Sequence, residues 1–296
     1  MGANVGMIQV HGSWGLDWNP SCSHVLLLPE MTPAQCGIIV SVSPGWHGKF
    51  QILEKLALPA VITKSIWKFI MSYSSQPTLA ILGGTGELGT GLARRWAEAG
   101  YKVIIGSRTQ EKAEAALADL QKVMRDRDVE SISVQAMDNV AAAKAADIVA
   151  ITVPFSHHAS TLEAVKPMLE GKILVDVTVP LVPPKVARVQ LPEQGSAGQI
   201  AQELLGEGVQ VVSAFQNVAA HHLQEGHGLD CDVLVCGNSK SAREEVIKLV
   251  EAAGMRGFHA GGINNAAAVE AMTSVLIFIN KQYKCHSGVR ITGLEE

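Results

Sequence analysis

The chain has 296 residues, of which 47% are hydrophobic and 18% charged, with a net charge of −4 and an isoelectric point near 6.2. At roughly 100–200 residues per domain this leaves room for about two domains; the composition excludes disorder, collagen and coiled coil, and the charge excludes a nucleic-acid surface, which needs a clustered basic face. A mean hydropathy of +0.19 calls for a membrane span to be sought, but the longest candidate, 52–70, carries Glu54, Lys55, Lys64 and Lys68 and a proline, short of the roughly 20 mostly apolar residues a span needs.

Residues 1–70 hold four of the five tryptophans (Trp14, Trp18, Trp46, Trp67) and only seven charged residues, against 45 in the remaining 226. Two kinds of sequence therefore meet near Met71. The first has no assignable periodicity apart from a short helical pattern at 50–58. It is expected to be an N-terminal extension outside the functional fold, from an upstream read-through or a start codon set too early. Five sparse cysteines (Cys22, Cys36, Cys231, Cys236, Cys285) do not form a disulfide framework. No basic start, apolar core and small-residue cleavage site opens the chain, so a reducing cytoplasm is the expected location.

After Met71 the elements alternate. The apolar run 78–82, bounded by Pro77 and Gly83, predicts a buried strand. A glycine turn at 83–89 and a helix to Gly100 follow, then a strand over 101–105 and a charged amphipathic helix over 110–127. The pattern continues with a strand at 131–137, an alanine-rich helix at 138–146 and an apolar core strand at 147–153. A helix at 158–170 leads to a strand at 172–177. The loop 180–198, rich in proline and glycine, is long enough to suggest function. Strands at 209–214 and 231–236, a helix at 239–253 and a final helix at 264–284 complete the chain. This alternation predicts an α/β fold, a Rossmann-like doubly wound parallel sheet over 71–185. A smaller C-terminal α/β lobe over 186–296 ends in a long helix that is apolar nearly all round from Ala266 to Ile279. Such a helix is expected to be buried, over a cleft or against a second subunit.

The sequence Gly84-Thr85-Gly86-Glu87-Leu88-Gly89 fits the dinucleotide fingerprint, and it stands between a strand and a helix as that fingerprint requires. Gly84 allows the tight turn, Gly86 the approach of a pyrophosphate, and Gly89 close packing of helix on strand. The helix N-terminus offers its unpaired N–H groups to the phosphates. The second strand ends in Gly106-Ser107-Arg108 with Lys112 one turn on, and no acid stands there to accept the ribose hydroxyls. Arg108 can fork onto a 2′-phosphate, Lys112 adds a point charge and Thr85 a hydroxyl, so NADP is expected over NAD.

These segments, with Ala150-Ile-Thr-Val-Pro154, Pro180-Leu-Val-Pro183, Ser213-Ala-Phe215 and Val233-Leu-Val-Cys-Gly237 in the same order, resemble the NADPH-dependent coenzyme F420 reductases (F420H2:NADP oxidoreductases) over about 76–296. The resemblance implies reversible hydride transfer between NADP and coenzyme F420, an 8-hydroxy-5-deazaflavin, as the small-molecule redox co-substrate. It implies no acid–base side chain, because holding two rings face to face in a dry cleft supplies most of the catalysis. Carried over by position, Thr152, Val153 and Pro154 take the nicotinamide half. His157 reaches a phosphate or the carboxamide. Val179, Pro180, Leu181 and Val182 contact the deazaflavin, and Ala214, Gln216 and Asn217 form its second wall. The sequence departs from the family at Gln216-Asn217, where relatives place a histidine; glutamine can donate and accept hydrogen bonds but does not titrate near neutrality. The same NADP half could instead serve a reductase of a flavin, ferric chelate or imine, or an NADPH-sensing module without turnover. Relatives of this kind are often dimers, so a homodimer is expected.

Two other features read as structural. Asp176, in a buried strand, is expected to cap a neighbouring loop or helix. His221, His222, His227, Asp230, Cys231 and Asp232 crowd one segment, but without Cys-x-x-Cys or His-Glu-x-x-His spacing, and no metal is expected.

Overall fold

Leu79–Leu82 (β1) is four consecutive apolar residues, all buried. A strand with no polar face must be covered by helices on both sides. The computed structural model describes residues 76–127, 129, 132–224 and 229–294, which lie within one compact unit, Met71–Glu296. Its strands after β1 are Val103–Ser107 (β2), Val134–Asp138 (β3), Ile148–Ile151 (β4), Ile173–Asp176 (β5), Gln210–Ser213 (β6), Asp232–Gly237 (β7) and Arg256–His259 (β8). They join in the order β3-β2-β1-β4-β5-β6-β7-β8. Every pair is parallel except β6 with β7. The strand order reverses between β1 and β4, where an open α/β sheet has its binding crevice. The sheet continues past residue 185, since β5 and β6 are parallel neighbours.

Successive side chains of a strand point to opposite faces, and two cores result. Leu79 and Ile81 pack with Leu92 and Trp96 of Glu87–Glu98 (α1), Leu120 and Met124 of Gln110–Arg125 (α2), and Val246 and Leu249 of the helix Lys240–Ala252. Ala80 and Leu82 pack with Ala142 of Asn139–Ala145 (α3), Leu162 of Phe155–Val165 (α4), Leu205 of Ala197–Leu205 (α5), and Val269 of the last helix. Trp96 anchors the first core: its indole Nε1 donates to Leu249 O at 2.8 Å and its ring meets Phe215 edge-on at 6.0 Å.

The structure adds a helix at Ala197–Leu205 (α5), whose N-cap Ser196 accepts from Gln199 N, and a single turn at Ala220–Leu223 (α6). It also adds the edge strand β8. The helix predicted from residue 158 begins at Phe155 and ends at Val165, where Lys166-Pro167-Met168 tightens into a 3₁₀ turn. Pro167 has no N–H to continue the helix. With Lys240–Ala252 as α7, the final helix Ala266–Tyr283 is α8. Within one chain α8 is buried along one side and not all round. Ala266, Val269, Glu270, Ser274 and Leu276 face inward, whereas Val275 and Phe278 are 48% and 58% exposed. The helix packs on α5 and the sheet along one side alone. With the preceding turn, Ile263–Tyr283 is long and apolar enough to cross a membrane by length and composition; its Glu270 is nevertheless fully buried and hydrogen-bonded within the fold. The extension 1–70 and its helical pattern at 50–58 lie outside the described residues.

Candidate active site

The turn after β1 is set by close backbone approach. Gly83 has φ +70°, and a Cβ there would stand 2.5 Å from Val153 Cγ1. Gly84 N donates to both Ile81 O and Gly106 O, closing the turn over the sheet. A Cβ on Gly89 would lie 2.6 Å from Gly84 Cα and 2.9 Å from Thr152 Oγ1, so only glycine lets α1 start this close to β1 and β4. Gly86 differs: a Cβ would meet nothing within 4 Å. Its bareness serves no internal contact and leaves a cradle open in front of α1. Gly86 is also the N-cap of α1 and supplies no side-chain cap. The first N–H groups of the helix thus point outward with the positive end of its dipole, a fit for phosphate oxygens.

That turn forms one end of a cleft of about 760 Å³, the size of a cofactor site. Of the residues expected to bind the cofactor, Thr85, Gly86, Glu87, Leu88, Gly89, Ser107, Arg108, Lys112, Thr152, Val153, Pro154 and His157 all line it; Gly84 is buried beneath. Among the described residues no carboxylate pairs with Arg108 or Lys112, so both cations at the end of β2 are available to an anion. Thr152 is anchored to β1, its hydroxyl donating to Leu82 O at 3.1 Å and its N–H to the same oxygen at 2.9 Å. The Asp138 carboxylate caps α3, accepting from Val140 N and Ala141 N, and Asn139 Oδ1 accepts from Gly83 N.

The opposite wall is apolar. Of the residues expected to contact the deazaflavin, Val179 and Leu181 line it, joined by Val177, Thr178, Pro183 and Val186. Pro180 is buried and Val182 is 46% exposed; neither lines the cleft. Ala214, Gln216 and Asn217 also stay out of it. In the chain they flank Phe215, which is buried at φ +72°. Gln216 Nε2 donates to Asp176 O at 2.7 Å and Ser213 Oγ at 2.8 Å. Asn217 Nδ2 donates to Val269 O at 3.0 Å and Thr273 Oγ1 at 3.1 Å. Phe155, Ser156, Thr161 and Asn139 line the cleft without having been anticipated. Only the helix start after Pro154 signals the first three.

Behind this wall runs a buried polar network. Asp176 Oδ1 accepts from Thr178 N at 2.9 Å, the loop cap expected of it, and Oδ2 lies 2.7 Å from His158 Nε2. Ser213 Oγ lies 3.3 Å from Glu270 Oε1. The Glu270 carboxyl also accepts from Ala197 N at 2.7 Å and Gly198 N at 3.1 Å, capping α5 from another helix. Burial, with the Asp176 charge nearby, pushes Glu270 up to about 8. Away from the cleft, the rings of His221 and His222 each lie within 5.9 Å of one another and of His286. Among the described residues no three His, Cys, Asp or Glu side chains are placed to hold a metal, and His227 lies outside them. Burial pushes the Cys236 thiol up to about 11, which leaves it unreactive.

Comparison with known proteins gives a consistent result. The profile of the family "NADP oxidoreductase coenzyme F420-dependent" matches residues 78–180. The F420-dependent NADP reductase of Methanocaldococcus jannaschii is 40% identical over 223 residues, 73% of this chain and 99% of that protein. The protein of the same name from Methanothermobacter thermautotrophicus is 38% identical over 225 residues, 74% of this chain and 96% of that protein. A solved structure from Arthrobacter sp. FB24 shares the fold, with a TM-score of 0.57 at 24% identity over 71% of this chain and 96% of that one.

Proposed function

We propose a mechanism from a premise that these similarities establish: the chain belongs to the family of coenzyme F420-dependent NADP oxidoreductases. It is an oxidoreductase that transfers a hydride between NADP(H) and coenzyme F420. The observation that carries the residue assignments is the union in one cleft of the uncapped glycine turn, the cations Arg108 and Lys112, and an apolar far wall. The two cofactors bring the hydride donor and acceptor, so the protein's work is binding, orientation and exclusion of water. The N–H groups of Glu87, Leu88 and Gly89 take the pyrophosphate. Ser107, Arg108 and Lys112 take the 2′-phosphate, which supports preference for NADP. Thr152, Val153 and Pro154, fixed by the bonds of Thr152 to Leu82, form the nicotinamide floor, with His157 at its edge. Val179 and Leu181 hold the deazaflavin against it, and Pro180 and Val182 shape that loop. Gln216 and Asn217 act from behind, by holding Asp176 and α8.

A division into an NADP-binding part over 71–185 and a dimerisation part over 186–296 fits this assignment only if the deazaflavin-holding residues 179–182 belong to the first part, so the expected substrate role of 186–296 reduces to support from behind the wall. The exposed apolar side of α8 supports a homodimer, and the free thiols of Cys231, Cys236 and Cys285 support a cytoplasmic location. The test is turnover of NADPH against oxidised F420, FMN and a ferric chelate, followed by loss of NADPH absorbance. Fast turnover with F420 alone is expected. Fast turnover with flavin or ferric chelate and none with F420 would overturn the assignment of the second substrate.

A further inference from the structure

The cleft contains a polar group that the family resemblance does not use. Thr178 lies two residues past β5, lines the cleft and is 3% exposed. Its Oγ1 is buried and bonds to no described residue. A buried hydroxyl is nearly always hydrogen-bonded, and one that is not asks for an explanation. The surroundings hold it firmly in this position. Its N–H is fixed by Asp176 Oδ1, Asp176 is fixed by His158 with both side chains at or below 1% exposure, and Asp176 O receives Gln216 Nε2. Three buried polar groups thus set the backbone that carries Thr178 along the cleft wall.

The register identifies what would meet it. β4 and β5 pair with Ile151 opposite Asp176, so Thr152-Val153 and Val177-Thr178 leave the sheet side by side. Val153 is the residue that touches Gly83 at the β1–β4 reversal. Thr178 therefore borders the floor assigned to the nicotinamide, while Leu181, Pro183 and Val186 line the cleft later in the loop. The polar part of a nicotinamide is its carboxamide, a donor and an acceptor on one face-defining substituent, and a hydroxyl can answer either role. We propose that the Thr178 hydroxyl hydrogen-bonds the nicotinamide carboxamide, and that Asp176 and His158 are positioning residues that hold it there and so set the ring orientation for hydride transfer. Near-attack geometry depends on such anchors. The inference rests on the cleft being the NADP site.

The test uses the full chain and binding rather than turnover. NADP⁺ and 2′,5′-ADP, which lacks the nicotinamide, are titrated into wild type, Thr178→Val and Thr178→Ser. Thr178→Val is expected to weaken NADP⁺ about tenfold and to leave 2′,5′-ADP unchanged, and Thr178→Ser to keep both affinities. Asp176→Asn is expected to repeat the split, whereas a general folding defect would weaken both ligands. Wild-type affinity of Thr178→Val for NADP⁺ overturns the proposal, and so does a variant whose only change is a raised KM for the deazaflavin. A second measurement does not depend on how the valine variant folds: the pyridine analogue of NADP⁺ without a carboxamide should bind wild type about tenfold more weakly than NADP⁺ and should show no such penalty against Thr178→Ala. An equal penalty in both proteins also overturns it. If wild type binds neither NADP⁺ nor 2′,5′-ADP, the reading of the cleft fails and the inference with it.

Discussion

On the β1–β2 side of the cleft the backbone makes the site: a bare glycine cradle, an uncapped helix start and two cations within six residues of the end of β2. On the β5–β6 side, residues far apart in sequence make it. His158, Asp176, Ser213, Gln216 and Glu270 come from two helices, two strands and a turn, and meet in a buried network. The two sides are also tied together. Arg94 and Arg95 of α1 donate to the carbonyls of Leu223 and His222 at the end of α6, and Gln224 Nε2 donates to Glu87 O at 2.9 Å. Phosphate recognition can be local because it uses N–H groups and charge. Holding an apolar ring needs a rigid wall, and rigidity comes from long-range polar contacts shielded from water.

Five experiments sharpen or break this contrast. The largest effect should come from Glu270→Ala, which leaves Ala197 N, Gly198 N and Ser213 without their acceptor in a dry site. A loss of roughly 3 kcal/mol is expected by urea unfolding. The Glu270 carboxyl also gives a pH signature. Its folded-state value, near 8, stands above its ordinary 4.5, so the folded state binds the proton more tightly. Its stabilising effect is complete below 4.5 and is lost as pH rises through 8, at up to about 1.4 kcal/mol per pH unit. Glu270→Gln should remove that loss, and an unchanged pH profile of unfolding would refute it.

Gly89→Ala should come next, with its Cβ driven against Gly84 Cα and Thr152. A loss of about 2 kcal/mol in stability is expected, together with NADP⁺ binding too weak for calorimetry. Arg108→Ala should leave the fold intact and lower the preference for NADPH over NADH about tenfold to a hundredfold, the loss of charged hydrogen bonds to one phosphate. Equal losses for the two nucleotides would contradict the 2′-phosphate role. Smallest in stability is Phe278→Glu on the exposed side of α8, expected within about 0.5 kcal/mol of wild type. Sedimentation should show a lower mass than wild type if that side joins two subunits, and an unchanged mass would remove α8 from the interface.

From Leu79 to Asp176 every strand except the alternating edge strand β3 is a short apolar run between glycine, proline or polar breaks, and each helix has its own period. The order of elements and the doubly wound class follow from that pattern alone. The glycine turn, Arg108 and Lys112 were legible for the same reason: their chemistry lies in adjacent residues, and the strand that ends before them sets their direction, whereas Thr152–Pro154 entered through the family resemblance. Tertiary structure decided the rest. Thr178 reads as one threonine among many until Asp176 and His158, 18 residues apart, close on each other. Glu270 looks like a polar break in an apolar helix until α5 presents its N-terminus to it. Gln216 and Asn217 turn inward because Phe215 holds a left-handed backbone against Trp96. Local periodicity encodes which face of an element is apolar, but the partner of a buried polar group is set by which elements the sheet brings together, and that information exists only once the strands are in register.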